Sequence, residues 1–506
     1  MNNLYKILED AAVNYPENVA LSFINNLISY KEVKEATDRL ASGLKSLGLE
    51  QGDRVALMLP NVPQFLMSYF ALLKIGAVIV PISIYYKAEE IRHQLEDSEA
   101  KGLIFWKDFR HSVRQAIQGL ERCKTLIVLG EKAESGEVRL PYLMEINEPL
   151  EETVEVEPDS TAVIVYAAGA TGCPMGAELT HQNILFSIDA VYKFLKLSSE
   201  DKVIGVLPLY HPLGQTLVAG PFFKAGARAA LVPKFNAEKI LKTIETEKST
   251  YFVGLPSMIR EILEVKDGEK FDLNSLKFCL STGDALRKET MEAFEAKFKI
   301  PILEGYGLTE ASGMVSFNNP VQEREAGSIG LPLPGIEMKI VDETDTEVKP
   351  GQVGEIIVKG PNVMKGYLNR PEATKEVLRD GWLRTGDLAL LHDNGFGFIM
   401  VRKKNVIVKS GFNIYPREVE RFLCGHPKVK EAVIVGIPDP VLGEEIHASI
   451  VLKEGESATQ EEIIEYSKER MAAYKCPKVV HFVSSLPKGP MGRILRDKVK
   501  GSLLKK

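Results

Sequence analysis

The chain has 506 residues, 45% hydrophobic and 26% charged, with a formal net charge of −6. That length exceeds one compact core, the composition is that of a globular protein, and the charge gives no footing for nucleic-acid binding. Five scattered cysteines (Cys123, Cys173, Cys279, Cys424, Cys476) show no C-x-x-C spacing, which excludes a cysteine zinc site and a disulfide framework. The N-terminus M-N-N-L-Y-K-I-L-E-D lacks the apolar stretch of a secretory leader. The apolar zone Val62–Ile84 is broken by Pro63, Lys74, Gly76 and Pro81, so it reads as a buried helix and strand, not an integral membrane segment. A cytoplasmic location is expected.

In chain order, the apolar periodicity predicts a helix over Tyr30–Leu47 ended by Gly48, then a strand at Arg54–Leu59 and a helix at Gln64–Lys74. Strands follow at Ala77–Val80, Ala100–Phe105, Thr125–Leu129 and Thr161–Val165. After a glycine-rich loop come a helix (Gln182–Lys196), a strand (Lys202–Leu207), a further helix and a strand at Ala229–Val232. Such alternation predicts parallel α/β layers. From about Gly327 short runs such as Glu337–Val341 and Gly354–Val358 suggest a small antiparallel or barrel-like subdomain. The charged V-R-K-K-N at Val401–Asn405 precedes a compact last segment with strands at Glu431–Gly436 and His447–Leu452 and a helix at Gln460–Met471. The boundary is placed near Arg402–Lys404.

Six segments can carry chemistry. Tyr166–His181 reads Y-A-A-G-A-T-G-C-P-M-G-A-E-L-T-H, with Gly169, Thr171, Gly172 and Gly176 ahead of a predicted helix start. A loop of this kind turns backbone N–H groups toward one point and suits phosphate, although it lacks the lysine of a Walker A loop; a plain tight turn is the other reading. Pro208–Gly214 (P-L-Y-H-P-L-G) sets His211 at a pocket mouth or in a buried loop. Ser281–Leu286 (S-T-G-D-A-L) is a small-residue turn whose backbone at Gly283, Asp284 and Ala285 can line the edge of a base. Gly305–Glu310 (G-Y-G-L-T-E) puts the Tyr306 ring between glycines, followed by the Thr309 hydroxyl and the Glu310 carboxylate, groups suited to a phosphate oxygen and Mg²⁺. In Gly381–Leu388 (G-W-L-R-T-G-D-L) a tight turn holds Asp387, which can accept two ribose hydroxyls, with Arg402 downstream. Leu486–Arg496 (L-P-K-G-P-M-G-R-I-L-R) presents Arg493.

Taken together and in this order, these segments resemble the adenylate-forming superfamily of acyl-CoA synthetases, nonribosomal adenylation domains and luciferases, most of all the fatty-acyl and aryl-CoA ligases. The resemblance runs from about Leu4 to Arg496 and implies an α/β fold. It comprises a large N-terminal domain of stacked α/β subdomains plus a small β-barrel-like subdomain (1–403) and a small mobile α+β C-terminal domain (404–506). It implies ATP, Mg²⁺ and coenzyme A, and a fatty or aromatic carboxylic acid as substrate; a homodimer is left open. A carboxylate attacks the α-phosphate of ATP to give an acyl-adenylate and pyrophosphate, and a thiol then displaces AMP.

By that resemblance, Thr171 and the amides of Gly169, Gly172 and Gly176 hold the β- and γ-phosphates. Tyr306 stacks on adenine, which Gly283, Asp284 and Ala285 border, while Thr309 meets the α-phosphate, Glu310 the Mg²⁺, and Asp387 with Arg402 the ribose. His211 lies beside the acyl pocket, whose wall is read at Tyr210–Leu217 and Ser312–Phe317. Lys404 is the hinge, Arg493 belongs to the adenylation face, and Ser410, Gly411 and Phe412 to the thioester face. Two departures stand out. Ala168, Ala170 and Met175 replace hydroxyl residues and a lysine in the loop, and Arg493 replaces the C-terminal catalytic lysine. A guanidinium is planar and wider than an ammonium; a lost transition-state contact costs roughly 3–4 kcal/mol, on the order of a hundredfold or more in rate. The leading reading is an ATP-dependent acyl- or aryl-CoA ligase. The alternatives are a degenerate member with weak or half-reaction activity and an enzyme loading a carrier protein.

Overall fold

The computed structural model describes residues 2–167, 174–319, 324–409, 412–440, 442–469, 471, 473–489, 492 and 494–504, the side chain of Lys404 aside. The chain divides into two compact units: unit 1 is Met1–Met338 with Val358–Leu383, and unit 2 is Lys339–Ile357 with Arg384–Lys506. Among the described residues no helix is long and apolar enough to cross a membrane.

Unit 1 holds two mixed sheets. The first orders Gly366–Tyr367, Met175–Thr180, Thr161–Ala167, Val78–Pro81, Arg54–Met58, Gly102–Trp106, Thr125–Leu129 and Glu137–Arg139. The second orders Leu331–Pro332, Gly313–Phe317, Ile302–Leu308, Phe278–Ser281, Tyr251–Gly254, Lys202–Gly205, Arg228–Leu231, Val19–Phe23 and Asn26–Ser29. The interior pairs are parallel, as is the edge pair of Thr125–Leu129 with Glu137–Arg139, and the other outer pairs are antiparallel. The apolar runs form strands because both their faces are covered, as parallel sheets require. One cluster gathers Val80, Leu103, Phe105 and Val128 of the first sheet with Ile91 and Leu95 of a flanking helix. Another joins Ile204, Phe252 and Ile302 of the second sheet with Ile240, Ile259 and Phe294.

The predicted helix over Tyr30–Leu47 is present as Tyr30–Ser46. Ser29 and Glu32 form a capping box at its start, and Gly48 follows its end at φ +79°. Pro63–Lys74 is the buried helix foreseen in the apolar zone. Its Phe70 stacks on Phe223, with ring centroids 5.6 Å apart, and so packs the first α/β half on the second.

Two local expectations are corrected. The glycine-rich loop does not lead into a helix: it joins the antiparallel strands Thr161–Ala167 and Met175–Thr180, and the helix His181–Leu195 starts only after the second of them. Pairing with Thr161–Ala167 makes Met175–Thr180 a strand, although four of its six residues, Gly176, Ala177, Leu179 and Thr180, are buried and no period of two marks it. Asp387 also lies in no tight turn but inside the long strand Trp382–Leu391, where Gly386 takes φ +70° and bends the chain without ending it. Antiparallel pairing with Gly397–Arg402 outweighs the turn signal of a lone glycine.

The small sheet expected after Gly327 is present: Glu337–Val341, Val353–Lys359, Trp382–Leu391 and Leu378–Arg379 adjoin in that order, with Gly397–Arg402 also on Trp382–Leu391. Unit 2 has a further sheet ordered Phe412–Ile414, Ile407–Lys409, Gly443–Leu452 and Val429–Asp439, with Val479–Phe482 parallel to Gly443–Leu452. Its core includes Val419, Leu423, Ile434, Ile446 and Ile463.

Candidate functional site

The motif residues of unit 1 gather at the carboxyl ends of adjacent parallel strands. From Lys202–Gly205 the chain moves to Arg228–Leu231 on one side, then crosses to Tyr251–Gly254 on the other. Such a reversal opens a crevice beyond the strand ends, the usual ligand position in open α/β sheets. The loop bearing His211 leaves Lys202–Gly205, the Gly283–Ala285 turn leaves Phe278–Ser281, and Tyr306, Thr309 and Glu310 follow on Ile302–Leu308 and the short helix after it.

The His211 loop doubles back on itself. A Cβ on Gly214 would lie 2.2 Å from Pro208 O, so only glycine fits there. His211 Nδ1 accepts the Leu213 N–H at 3.2 Å, which leaves the proton of a neutral ring on Nε2. The imidazole keeps partial surface exposure, yet the protein around it withdraws enough water to push its pKa from 6.5 down to about 4. It is therefore a neutral hydrogen-bond donor at pH 7. The two segments read as pocket wall abut: a Cβ on Gly313 would sit 2.4 Å from Thr216 Oγ1.

Gly283 and Ala285 are exposed and Asp284 is partly so; the Ala285 N–H donates to Asp284 Oδ1 at 2.9 Å. The glycines around Tyr306 have another reason than room for a base. A Cβ on Gly305 would meet the Phe317 ring at 2.5 Å, and one on Gly307 would lie 1.7 Å from Gly313 O, because the strand Gly313–Phe317 presses against Ile302–Leu308. Tyr306 itself is buried, 6% exposed. Thr309 and Glu310 open the short helix Thr309–Ala311 and remain partly exposed. Glu310 Oε1 accepts the Tyr367 hydroxyl at 2.8 Å.

Gly176 lies in the strand Met175–Thr180, where a Cβ would meet Ile164 at 2.7 Å. Gly169, Thr171 and Gly172 fall outside the described residues, as do Ser410, Gly411 and Arg493. In unit 2, Asp387 and Arg402 stand opposite each other across two paired strands, with Arg402 Nε 3.3 Å from Asp387 Oδ1 and Asp387 only 6% exposed. Lys404 belongs to the short helix Lys403–Asn405. Phe412, 53% exposed, stacks on Tyr474 with ring centroids 4.6 Å apart.

Three residues that shape the site escape sequence reading. Asn61 is buried and reaches the His211 loop: its Nδ2 donates to Gly205 O and Leu207 O at 2.8 Å each, and its Oδ1 accepts the Leu209 N–H at 3.0 Å. Buried Glu304 accepts the Leu286 N–H at 2.8 Å and the Gly327 N–H at 3.1 Å, which holds the Gly283–Ala285 turn beside Tyr306. Tyr367 holds Glu310. A polar residue next to a motif is the sole local hint for Glu304, and the other two offer none.

Strand-end loops over a reversed parallel sheet, beside the antiparallel pair Thr161–Ala167 and Met175–Thr180, define an α/β protein of the kind that binds small ligands at its strand ends. The model of the AMP-binding enzyme family matches residues 8–368 and that of the AMP-binding enzyme C-terminal domain matches 418–493, and the chain belongs to this adenylate-forming family. The long-chain-fatty-acid–CoA ligase of Bacillus subtilis (strain 168) is 36% identical over 98% of this chain and 94% of its own length. The feruloyl-CoA synthase of an Amycolatopsis species is 33% identical over 96% of each. Among solved structures, ATP-bound MatB from Rhodopseudomonas palustris superposes with a TM-score of 0.92 at 29% identity, over 99% of both chains.

Proposed function

We propose that this chain is an ATP-dependent acyl- or aryl-CoA ligase. The observation that carries the reading is the gathering of His211, Gly283–Ala285, Tyr306, Thr309 and Glu310 at neighbouring strand ends of one sheet. The relatives named as a long-chain-fatty-acid–CoA ligase and a feruloyl-CoA synthase support it over nearly the full chain. Nothing in those comparisons favours the degenerate alternative.

In this reading the acid lies by the His211 loop, where the neutral Nε2–H orients it without pairing permanently with its charge. Tyr306 and the Gly283–Ala285 backbone take the adenine, Thr309 the α-phosphate, Asp387 and Arg402 the ribose, and the 168–174 loop the terminal phosphates. Glu310 fits a hard divalent cation: a carboxylate fixed through one oxygen leaves the other to ligate. Bound there, Mg²⁺ supplies charge neutralisation on the phosphates. Arg493 adds the cation on the adenylation face, and turning about Lys404 brings Ser410, Gly411 and Phe412 to the thioester step. Two faces are needed because one pocket cannot place both a phosphate-neutralising cation and a thiol on the same carbonyl. A cytoplasmic location agrees with ATP and coenzyme A as substrates.

The test incubates the purified chain with Mg·ATP and fatty and aromatic acids, with and without coenzyme A, and follows AMP and thioester. Both products are expected with at least one acid. ATP binding without AMP for any acid overturns the reading, and acyl-adenylate without thioester shifts it to carrier loading. Arg493→Lys is expected to raise the adenylation rate, since an ammonium reaches as a point charge where a planar fork does not. An unchanged rate shows a site adapted to arginine.

A further inference from the structure

The segment Met364–Arg370 meets several parts of the phosphate side of unit 1. The Met364 N–H donates to Glu310 O at 2.8 Å, and the Tyr367 hydroxyl donates to Glu310 Oε1 at the same distance. Gly366 and Tyr367 pair antiparallel with Glu178 and Ala177, flanked by Lys365 N–H to Glu178 O at 2.9 Å and Leu368 N–H to Gly176 O at 2.7 Å. Two residues on, Arg370 Nη2 lies 2.7 Å from Asp97 Oδ1, and Asp97 Oδ2 accepts the Tyr166 hydroxyl at 2.9 Å. One helical turn before Asp97, His93 Nε2 lies 3.1 Å from Pro174 O. One strap and one helix thus hold Tyr166 before the glycine-rich loop, Pro174 and Gly176 after it, and the carboxylate of Glu310.

We propose that Tyr367 is a positioning residue for the metal–nucleotide, orienting the Glu310 carboxylate and tying it to the loop through the strap Gly366–Arg370. The inference rests on Glu310 as the Mg²⁺ carboxylate. A partly exposed glutamate loses rotamer freedom when it is fixed. The hydroxyl makes that loss in advance, so the metal meets an oriented oxygen. Tyr367 is 8% exposed, so packing aims its hydroxyl. A side chain that only filled the core would serve as well as phenylalanine, and this makes Tyr367→Phe discriminating.

The experiment titrates Mn²⁺ into the full chain at saturating ATP, following water-proton relaxation, and in parallel measures the Mg²⁺ dependence of pyrophosphate exchange. Tyr367→Phe is expected to raise the half-saturating metal concentration roughly tenfold, the usual effect of removing an outer partner of a metal ligand. The melting temperature should stay within a few degrees of the parent. Metal saturation equal to the parent overturns the proposal. Glu310→Gln separates the two levels: if it too leaves saturation unchanged, the reading of Glu310 falls and takes the inference with it. Should Tyr367→Phe not fold, Arg370→Gln loosens the strap at an ion pair whose arginine is 46% exposed. A rise of about threefold is then expected as a fraction of the tenfold effect, and no rise overturns the coupling.

Discussion

Unit 1 builds one parallel core twice and uses it differently each time. Val78–Pro81, Arg54–Met58, Gly102–Trp106 and Thr125–Leu129 stand in the order in which Arg228–Leu231, Lys202–Gly205, Tyr251–Gly254 and Phe278–Ser281 stand in the other sheet. In both, the chain leaves a starting strand for one neighbour, then crosses to the opposite side. Both starting strands therefore open onto a crevice. In the first sheet the following loop carries Asn61, whose amide is spent on three bonds to the end of the other sheet's starting strand. In the second the loop carries His211, whose Nδ1 is bonded within the loop and whose Nε2–H remains to donate. Topology offers the crevice; the hydrogen bonds its loop residues already make decide whether it serves chemistry or structure.

The strongest way to break this contrast is at the proposed site. Gly307→Ala drives a Cβ to 1.7 Å from Gly313 O and is expected to abolish pyrophosphate exchange, as strand Gly313–Phe317 is forced off. Activity above about a tenth of the parent would mean that this close approach is not needed.

Asn61→Ala probes the dependence of one half on the other. Leaving Leu209 N–H and Leu207 O buried without their Asn61 partner, while Gly205 O keeps the Val232 N–H, costs about 2–4 kcal/mol in denaturant unfolding. The KM for the acid is expected to rise more than the KM for ATP, because the His211 loop loosens.

His181 gives a smaller, pH-dependent effect at the seam between the sheets. It is 2% exposed, its Nδ1 accepts the Leu4 N–H at 3.2 Å, and burial lowers its pKa from 6.5 to about 4. Above 6.5 both folded and unfolded chains are neutral at this position. As pH falls from 6.5 toward 4 only the unfolded chain takes the proton, so stability is lost across that window, by about 3 kcal/mol at most. Urea midpoints against pH check this, and His181→Gln should flatten the slope.

The mildest case is Gly102→Ala in the first sheet, where a Cβ meets nothing closer than Thr125 O at 3.3 Å. Activity is expected to be unchanged and stability shifted by less than about 1 kcal/mol.

The sequence discloses the strands and helices of unit 1 well, because burial on one or both faces writes a period of two or 3.6 into neighbouring residues. It misplaces the segment after the glycine-rich loop, where the short strand Met175–Thr180 ends on the helix cap Thr180 and the two signals merge. It misjudges Asp387 because Gly386 looks like a turn until a partner strand is present. The motifs are legible as ordered short segments, and the bonds of Asn61, Glu304 and Tyr367 are not.

The sequence by itself determined the α/β alternation, the change of texture after Gly327 and the family, since these rest on local periodicity and on ordered short motifs. Only the tertiary structure decided that the strands on either side of the glycine-rich loop pair antiparallel, that Asn61 joins the two sheets, and that Tyr367 holds Glu310. Local periodicity records what lies within a few residues. The bonds from Asn61 to Leu209 and from Tyr367 to Glu310 span 148 and 57 residues, distances over which only the folded chain brings groups together.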